Sequence, residues 1–420
     1  IMHEDDYMKH LFILTESSSV PYIYKNAIMC GYKPIFLYTI DAWDINNDYR
    51  YELIDFSKSE MDIAKYLKGK YEDIVGVVSC IEQLTYKMAK ISEFLGVSIN
   101  NRSSYTNLRD KKAMKECWEQ NGVSTPKSYG IFHNANIDRD DLHYPVIVKP
   151  VFGAASAGVK KIFSFSELQS QIKQILRYNL TTLANEGKVR SGFIIEQFVT
   201  GAEYSVDTIW VNGKPILSGI LSKSTPKEPD FPDRLYFTDT ELDYETRAKI
   251  LEETYKGISA AGVKNGCTHT EVRVMDGKVF LIEAALRPGA GGALYRILTE
   301  STEIDFYKYL IIANTPSLIA AYNNTEEIIV TPQKRFFWYN VSYEGAGKIK
   351  GLDVKKELAE DSNIKSVIFR RNIGSYLPRE GMSSSYLAWV IGLLPESVNS
   401  EFEIESYMNY MDNNIIVSYG

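Results

Sequence analysis

The chain has 420 residues, 45% hydrophobic and 24% charged, which suits a soluble globular protein of two or three domains with a large core. Its formal charge of −7 gives no electrostatic reason to expect nucleic acid or an anionic membrane as partner. Four dispersed cysteines (Cys30, Cys80, Cys117, Cys267) make no metal-ligand spacing, no run reaches the ~18–20 apolar residues of a membrane span, and the polar start Ile1–His10 lacks a secretory pattern, so a cytoplasmic protein with reduced thiols is expected.

The first hundred residues alternate strand and helix. Leu11–Thr15, Pro34–Thr39 and Ile74–Ser79 read as short buried strands, and Tyr22–Gly31, Met61–Lys68 and Gln83–Gly96 as helices. This is the pattern of a doubly wound α/β sheet, without the glycine fingerprint of a dinucleotide site. Asn107–Gly122 predicts one helix with Lys111 and Lys112 near its start. A strand pair around a small-residue loop, a helix (Ser166–Arg177) and a strand (Gly192–Gln197) follow. Mainly antiparallel strands then run to about 310, with Tyr204–Trp210 and Pro215–Leu221 among them. The boundaries expected are 1–97 for the α/β unit, 98–125 for a helical linker, 126–200 for a small lobe and 201–420 for a large lobe. Within the last, 315–420 is a mixed segment rich in Tyr and Ile.

Three stretches carry candidate chemistry. Pro145–Pro150 is an apolar strand holding Lys149, and it runs into a loop containing Gly153, Ser156 and Gly158. Backbone N–H groups of such a loop can approach phosphate oxygens closely, with the lysine as a point charge; the plain alternative is a tight connection and a surface lysine. Glu196-Gln197-Phe198-Val199 ends a strand in a short hinge whose free backbone groups could read an adenine edge. Glu203, seven residues on, could accept ribose hydroxyls, or both acids could simply be solvated. The third stretch, Thr270–Glu283, predicts a β-hairpin turning at Asp276-Gly277. Placing Val272, Val274, Phe280 and Ile282 on one face requires an odd loop, hence a glycine bulge at the turn. Glu271 and Glu283 then share the other face with Arg273 and Leu281. Side-by-side carboxylates repel, and a hard divalent cation carrying phosphate would relieve them. A solvated face countered by Arg273 and Lys278 is the equal alternative. Arg287 leaves the same strand before another glycine-rich turn, where it could hold a carboxylate or phosphoryl group or pair with one of the two glutamates.

Taken in order, Lys111, Val-Ile-Val-Lys149-Pro with its loop, Glu196-Gln-Phe-Val, Glu203, Glu271 and Glu283-x-x-x-Arg287 resemble the ATP-grasp superfamily over roughly residues 1–310. Gly266-Cys-Thr-His269-Thr-Glu271 and the Arg287 ending resemble its L-amino-acid ligase (dipeptide synthetase) branch. The resemblance implies a doubly wound pre-ATP-grasp sheet followed by a two-lobed ATP-grasp domain, α/β in the first part and α+β in the second. It implies that Lys111 and Lys149 bind ATP phosphates under the 153–158 loop. Glu196, Gln197, Phe198 and Val199 would hold adenine, Glu203 the ribose, Leu281 would also contact the cofactor, and Glu271 and Glu283 would bind a Mg²⁺ ion, with Mn²⁺ as a substitute. Many relatives have Glu-x-Asn where this chain has Glu283-Ala-Ala285, so a second metal ion lacks its expected ligand.

The implied reaction activates a substrate carboxylate as an acyl phosphate, which an amine then attacks, with Arg287 and Lys149 stabilising charge. Two L-amino acids would be the substrates. Glu82, Tyr236, His269 and Gly291 would line their pocket with Arg287; for Glu82 a helix-terminal acid, and for His269 a structural histidine, are the plain alternatives. The irregular segment 223–236 reads as a mobile site loop. Another ATP-grasp ligase, or bicarbonate activation of the biotin-carboxylase type, is the competing reading. A homodimer is the commonest soluble assembly.

Overall fold

Four short apolar strands open the fold: β1 (Lys9–Leu14), β2 (Tyr32–Thr39), β3 (Tyr51–Ile54) and β4 (Ile74–Ser79). Helix α1 (Val20–Met29) covers one face, and α2 (Glu60–Lys70) and α3 (Thr85–Leu95) cover the other, so the strands are apolar on both sides. All pair in parallel in the order β3-β2-β1-β4. The chain winds from β1 to β3 and then returns to the far side of β1. That reversal leaves a crevice at the carboxyl ends of β1 and β4, where open α/β sheets hold ligands. Glu16 lies just beyond β1 and Glu82 just beyond β4. The structure is a computed structural model and describes residues 9–153, 156–182, 188, 190–324, 326–381 and 385–420.

The single helix expected over Asn107–Gly122 is two helices, α4 (Arg102–Arg109) and α5 (Lys111–Gln120). Asp110 separates them in an extended conformation, and its carboxylate accepts from the backbone N–H groups of Lys112 (2.8 Å) and Ala113 (3.2 Å). An N-cap aspartate offers the chain a helix start that the periodicity alone conceals. The cap fixes Lys111 as the first residue of α5 and puts Lys115 one turn further on the same buried face.

The next sheet contains β5 (Ser128–Phe132), β6 (Val146–Pro150), β7 (Lys160–Ile162) and β8 (Phe193–Gln197), in the order β5-β8-β6-β7. Helix α6 (Phe165–Thr182) seals it through Leu168, Ile172 and Ile175 against Val146, Val148, Ile162 and Ile195. Of the small-residue loop after β6, Ala154 and Ala155 lie outside the described residues, as do Ile1 to Met8.

Strands β9 (Ala202–Val211), β10 (Lys214–Lys223), β11 (Leu235–Thr238), β12 (Gly266–Met275) and β13 (Lys278–Ala285) follow, with α7 (Tyr244–Ala260) between β11 and β12. After α8 (Ala293–Thr302) and α9 (Phe306–Ala313) come β14 (Ile328–Ile329), β15 (Phe336–Asn340), β16 (Gly347–Val354), β17 (Ile364–Phe369), β18 (Tyr376–Leu377), β19 (Ala388–Leu393) and β20 (Ile415–Tyr419). The large sheet runs β13-β12-β9-β10-β11-β15-β19-β17, with β14 beside β10, and β18-β16-β20 form a separate small sheet. The segment after 315 thus extends the large sheet at one edge.

One face of the large sheet packs on α4, α5 and α7 through Trp118, Trp210, Ile250 and Leu281. The other face packs through α8 and α9 onto the N-terminal sheet, joining Leu217, Tyr236 and Trp389 to Leu11 and Ile13 in one core. This packing holds the crevice of the first sheet over the glycine-rich turn that follows β13.

Candidate active site

The hairpin β12–β13 closes on Asp276-Gly277, both at positive φ (52° and 73°), between the paired residues Met275 and Lys278. This is a two-residue turn, so the bulge expected at the glycine is absent there. It lies further along, where Glu271 pairs with Glu283 and the next pair is Val272 with Leu281, leaving Ile282 as the extra residue. The displaced bulge still brings Glu271 and Glu283 directly opposite each other. It also changes the facing: Leu281, with Val272 and Val279, belongs to the core, and Phe280 sits opposite Arg273. Leu281 is fully buried beside Gly257 and Trp118, so its side chain is not available to a nucleotide, contrary to expectation.

Lysines meet these carboxylates from two other elements. Lys111 places Nζ 2.6 Å from Glu283 Oε1. Lys149, on β6, lies 2.7 Å from Glu196 Oε2, and Lys115 reaches the same carboxylate at 3.0 Å. All three of these side chains are almost fully buried. Burial pushes the Lys115 ammonium down to about 8 against the opposing pull of Glu196. Glu196 is therefore an ionic anchor between two lysines. Lys115 was not singled out from the sequence; its i, i+4 spacing from Lys111 on a capped helix is the signal that would have found it.

The hinge is also more occupied than expected. Gln197 is exposed and its N–H donates to Lys127 O, while Val199 O accepts from Arg273 Nη1 at 2.7 Å. Phe198 lies under Lys161 Nζ, 3.9 Å from the ring centroid. Gly153 O accepts from Arg109 Nη1 at 3.0 Å, and Ser156 and Gly158 both take positive φ (55° and 78°), the backbone of a tight loop. Glu203 is held by Arg273 (3.0 Å) and by Lys223, two partners on neighbouring strands. Burial opposes its ionisation, but those two cations hold its carboxyl below the usual range. Arg273 thus serves Glu203, not Glu271, and Lys278 lies over Phe280 at the far end of the hairpin.

Around Glu271 the residues are polar and ordered. Burial raises its carboxyl above the ordinary range while Lys223, 3.6 Å away, opposes that rise. Tyr236 donates its hydroxyl to Asp233 Oδ1 (2.8 Å), with Glu271 Oε1 at 3.5 Å. His269 Nδ1 lies 2.9 Å from Asp207 Oδ2, which leaves Nε2 facing Glu271 at 4.0 Å. Asp207 Oδ1 accepts from Gly289 N–H at 2.7 Å, so one buried aspartate fixes both the imidazole and the turn after β13. Asp207 has no signal in the sequence because it looks like an ordinary strand residue, and Lys223 and Asp233 are legible there only as members of the 223–236 segment. The segment 223–236 is pinned rather than free: Lys161 donates to Pro229 O and pairs with Glu228, and Lys227 pairs with Glu380.

Arg287 pairs with neither hairpin glutamate. Its Nε lies 3.0 Å from Glu82 Oε2, its Nη2 contacts the same oxygen, and Arg109 stands 4.0 Å from Oε1. Burial opposes ionisation of Glu82, yet Arg287 and then Arg109 bring its carboxyl down to about 2. Gly291, at φ 65°, backs onto Glu16: a Cβ there would stand 3.0 Å from Glu16 Cγ. Of the residues singled out as a substrate pocket, Glu82, Arg287 and Gly291 gather at one seam, between the ends of β1 and β4 and the turn after β13, while Tyr236 and His269 stand beside Glu271.

Among the described residues no three His, Cys, Asp or Glu side chains converge as a metal cluster. The paired carboxylates Glu271 and Glu283 fit a Mg²⁺ ion that takes one or two protein carboxylates and completes its shell with phosphate and water.

Residues 142–295, which follow the α/β sheet, match the ATP-grasp domain family. It is 27% identical over 216 residues to the alanine–anticapsin ligase of Bacillus subtilis (strain 168), covering 48% of this chain and 45% of that protein; the chain spans about half the length of the curated relatives it matches. The crystal structure of an L-amino acid ligase from Bacillus licheniformis has a TM-score of 0.83, over 98% of this chain and 99% of that one, at 24% identity. A biotin carboxylase–β-γ-ATP complex from Campylobacter jejuni has a TM-score of 0.70 at 14% identity, over 99% of this chain and 93% of that one. At these identities the likeness is one of fold. No helix among the described residues is long and apolar enough to cross a membrane.

Proposed function

We propose that this protein is an ATP-dependent carboxylate–amine ligase that joins two L-amino acids through an acyl phosphate, releasing ADP and phosphate. The observation that carries the reading is the adjacency along β13: Glu283 faces Glu271 and Lys111, and four residues later Arg287 meets Glu82 in the crevice of the first sheet. Phosphate chemistry and organic-substrate recognition therefore share one strand and the turn that follows it.

In this reading Lys111 and Lys149 exchange their present carboxylate partners for ATP phosphates, a swap between charge-assisted contacts of similar strength. Glu271 and Glu283 would hold a Mg²⁺ ion, which would neutralise phosphate charge. Arg287 holds the substrate carboxylate in line with the γ-phosphate and later faces the oxyanion that forms as the amine attacks. Glu82, anionic at every physiological pH, keeps Arg287 extended into the crevice. The backbone at Gly153, Ser156 and Gly158 meets the phosphates and helps keep water from the acyl phosphate. His269, held through Nδ1 by Asp207, offers Nε2 toward the carboxylate pair.

The test is ADP formation with ATP and Mg²⁺ across a panel of single and paired amino acids, with mass spectrometry of the products. A dipeptide mass that appears only with a competent pair supports the reading. ADP formation stimulated by bicarbonate and by no amino acid would replace it with the carboxylase type, which the fold likeness to biotin carboxylase makes the second reading.

A further inference from the structure

A second guanidinium stands at the same crevice, from an element that the sequence left unread. Arg370 follows β17, and its backbone N–H donates to Leu387 O at 2.8 Å. Its guanidinium lies over Trp389, with the carbon 4.1 Å from the ring centroid. Trp389 continues a row of aromatic rings across the large sheet, Tyr236 to Trp338 (5.3 Å) to Trp389 (5.2 Å), that starts beside Glu271.

The carboxylate nearest to Arg370 is Glu16, with Nη1 3.5 Å from Oε2, beyond a good hydrogen bond. Glu16 is otherwise committed: it accepts from Ser18 N–H (2.8 Å), the Ser18 hydroxyl and the Ser19 hydroxyl. Among the described residues, the buried Nη1 of Arg370 has no hydrogen-bond partner. A purely structural ion pair would close that gap, because a buried donor without an acceptor is costly. Glu16 steers the guanidinium and leaves its donor capacity for something else.

The topology says what that is. β1 and β4 are adjacent parallel strands, with Leu14 paired to Ser79. The end of β4 carries Glu82 and Arg287, and the end of β1 carries Glu16 and Arg370. The two acid–guanidinium pairs therefore stand at the carboxyl ends of neighbouring strands of one sheet. Gly291 brings the turn after β13 close against both ends: a Cβ there would stand 3.0 Å from Glu16 Cγ and 3.7 Å from Ile81 Cδ1.

We propose that Arg370 is a substrate-binding residue that takes the α-carboxylate of the amine-donating amino acid, while that amine points at the carboxyl held by Arg287. The assignment rests on the ligase reading and adds to it the recognition of the second substrate. A planar, bidentate guanidinium stacked on an indole is suited to a carboxylate, and it would reject amines that lack one.

The experiment compares wild type with Arg370→Gln and Arg370→Lys in two assays. The first traps the activated amino acid with hydroxylamine, so it needs no second amino acid. The second measures KM for an acceptor amino acid and for its carboxamide. Arg370→Gln should leave hydroxamate formation unchanged and raise KM for the acid acceptor by roughly tenfold or more, the scale of a lost charge-assisted hydrogen bond. KM for the carboxamide should stay as it was, so the preference for acid over amide collapses; Arg370→Lys should retain part of it. Equal effects on acid and amide, no effect on either, or a parallel loss of hydroxamate would overturn the assignment. Failure of wild type to form either hydroxamate or dipeptide would instead overturn the ligase reading itself.

Discussion

Arg287 Nε and Glu82 Oε2 meet at 3.0 Å although 205 positions separate them in the chain. The contact joins the last turn of one sheet's hairpin to the first turn beyond another sheet's strand. Neither residue could be supported alone: a guanidinium or a carboxylate buried at that seam without its partner would lose solvation with nothing in return. The pair therefore ties the position of the substrate crevice to the position of the phosphate-facing hairpin.

The first prediction concerns acid stability. Glu82 titrates near 2 in the folded protein and near 4.5 when unfolded. A depressed carboxyl contributes stability in full above the unfolded value and loses it as pH falls through the folded one. The contribution is on the order of 3 kcal/mol from the size of the shift. Denaturant midpoints should therefore fall more steeply for wild type than for Glu82→Gln between pH 4.5 and 2, while the variant is already weaker at neutral pH. Parallel curves would show that the pair stabilises nothing.

The second concerns the paired carboxylates. Lys111 covers Glu283 at 2.6 Å, and Glu271 stands directly opposite. Mg²⁺ with ATP should raise the melting temperature more than ATP or Mg²⁺ alone. Glu283→Gln should remove the Mg²⁺-dependent part and leave the protein folded. An unchanged Mg²⁺ effect in the variant would place the ion elsewhere.

These two contacts show what was legible in the sequence. The hairpin, its turn residues and the cofacial glutamates followed from period-2 patterning, because local spacing fixes strand facing. The position of the bulge did not, since moving it from Gly277 to Ile282 preserves the glutamates while exchanging Phe280 and Leu281 between faces. Pairings such as Arg287 with Glu82, or Lys223 with Glu203, depend on how sheets stack and have no local signature. Strand β3, only four residues long, and the C-terminal edge strands carried too little periodicity to be read. Arg370 was missed for the same reason.

The third prediction tests the buried triad. Lys115, Glu196 and Lys149 share one carboxylate, at 3.0 and 2.7 Å. Lys115 also donates to Pro126 O at 3.1 Å, which fixes it in place as Lys149 turns toward phosphate. Lys115→Met leaves Glu196 with Lys149 alone, so releasing Lys149 would strand a buried anion. KM for ATP should rise by about tenfold or more, because leaving one charge of a buried pair unpaired costs several kcal/mol. KM for amino acids should change much less. A variant with wild-type KM for ATP would show that Lys149 does not need this second counter-charge.

The fourth sets two glycine substitutions against each other. A Cβ on Gly289 would stand 2.7 Å from His269 Nδ1, 3.0 Å from Asp207 Oδ2 and 2.5 Å from Leu294 Cδ1. The methyl would wedge into the contact that holds the imidazole, beside the N–H that Asp207 Oδ1 accepts. Gly69 lies inside α2 with nothing within 4 Å of the same position. Gly289→Ala should destabilise by roughly 1–3 kcal/mol, as overpacked sites do, and lower kcat because His269 is displaced. Gly69→Ala should stabilise by about 0.5–1 kcal/mol, since alanine is the better helix former, and leave kcat alone. Melting curves and turnover on the same preparations check both, and opposite signs of the two stability changes are the outcome required. If both variants kept full turnover, the Asp207–His269 pair would be structural only, and its imidazole would have no part in the chemistry.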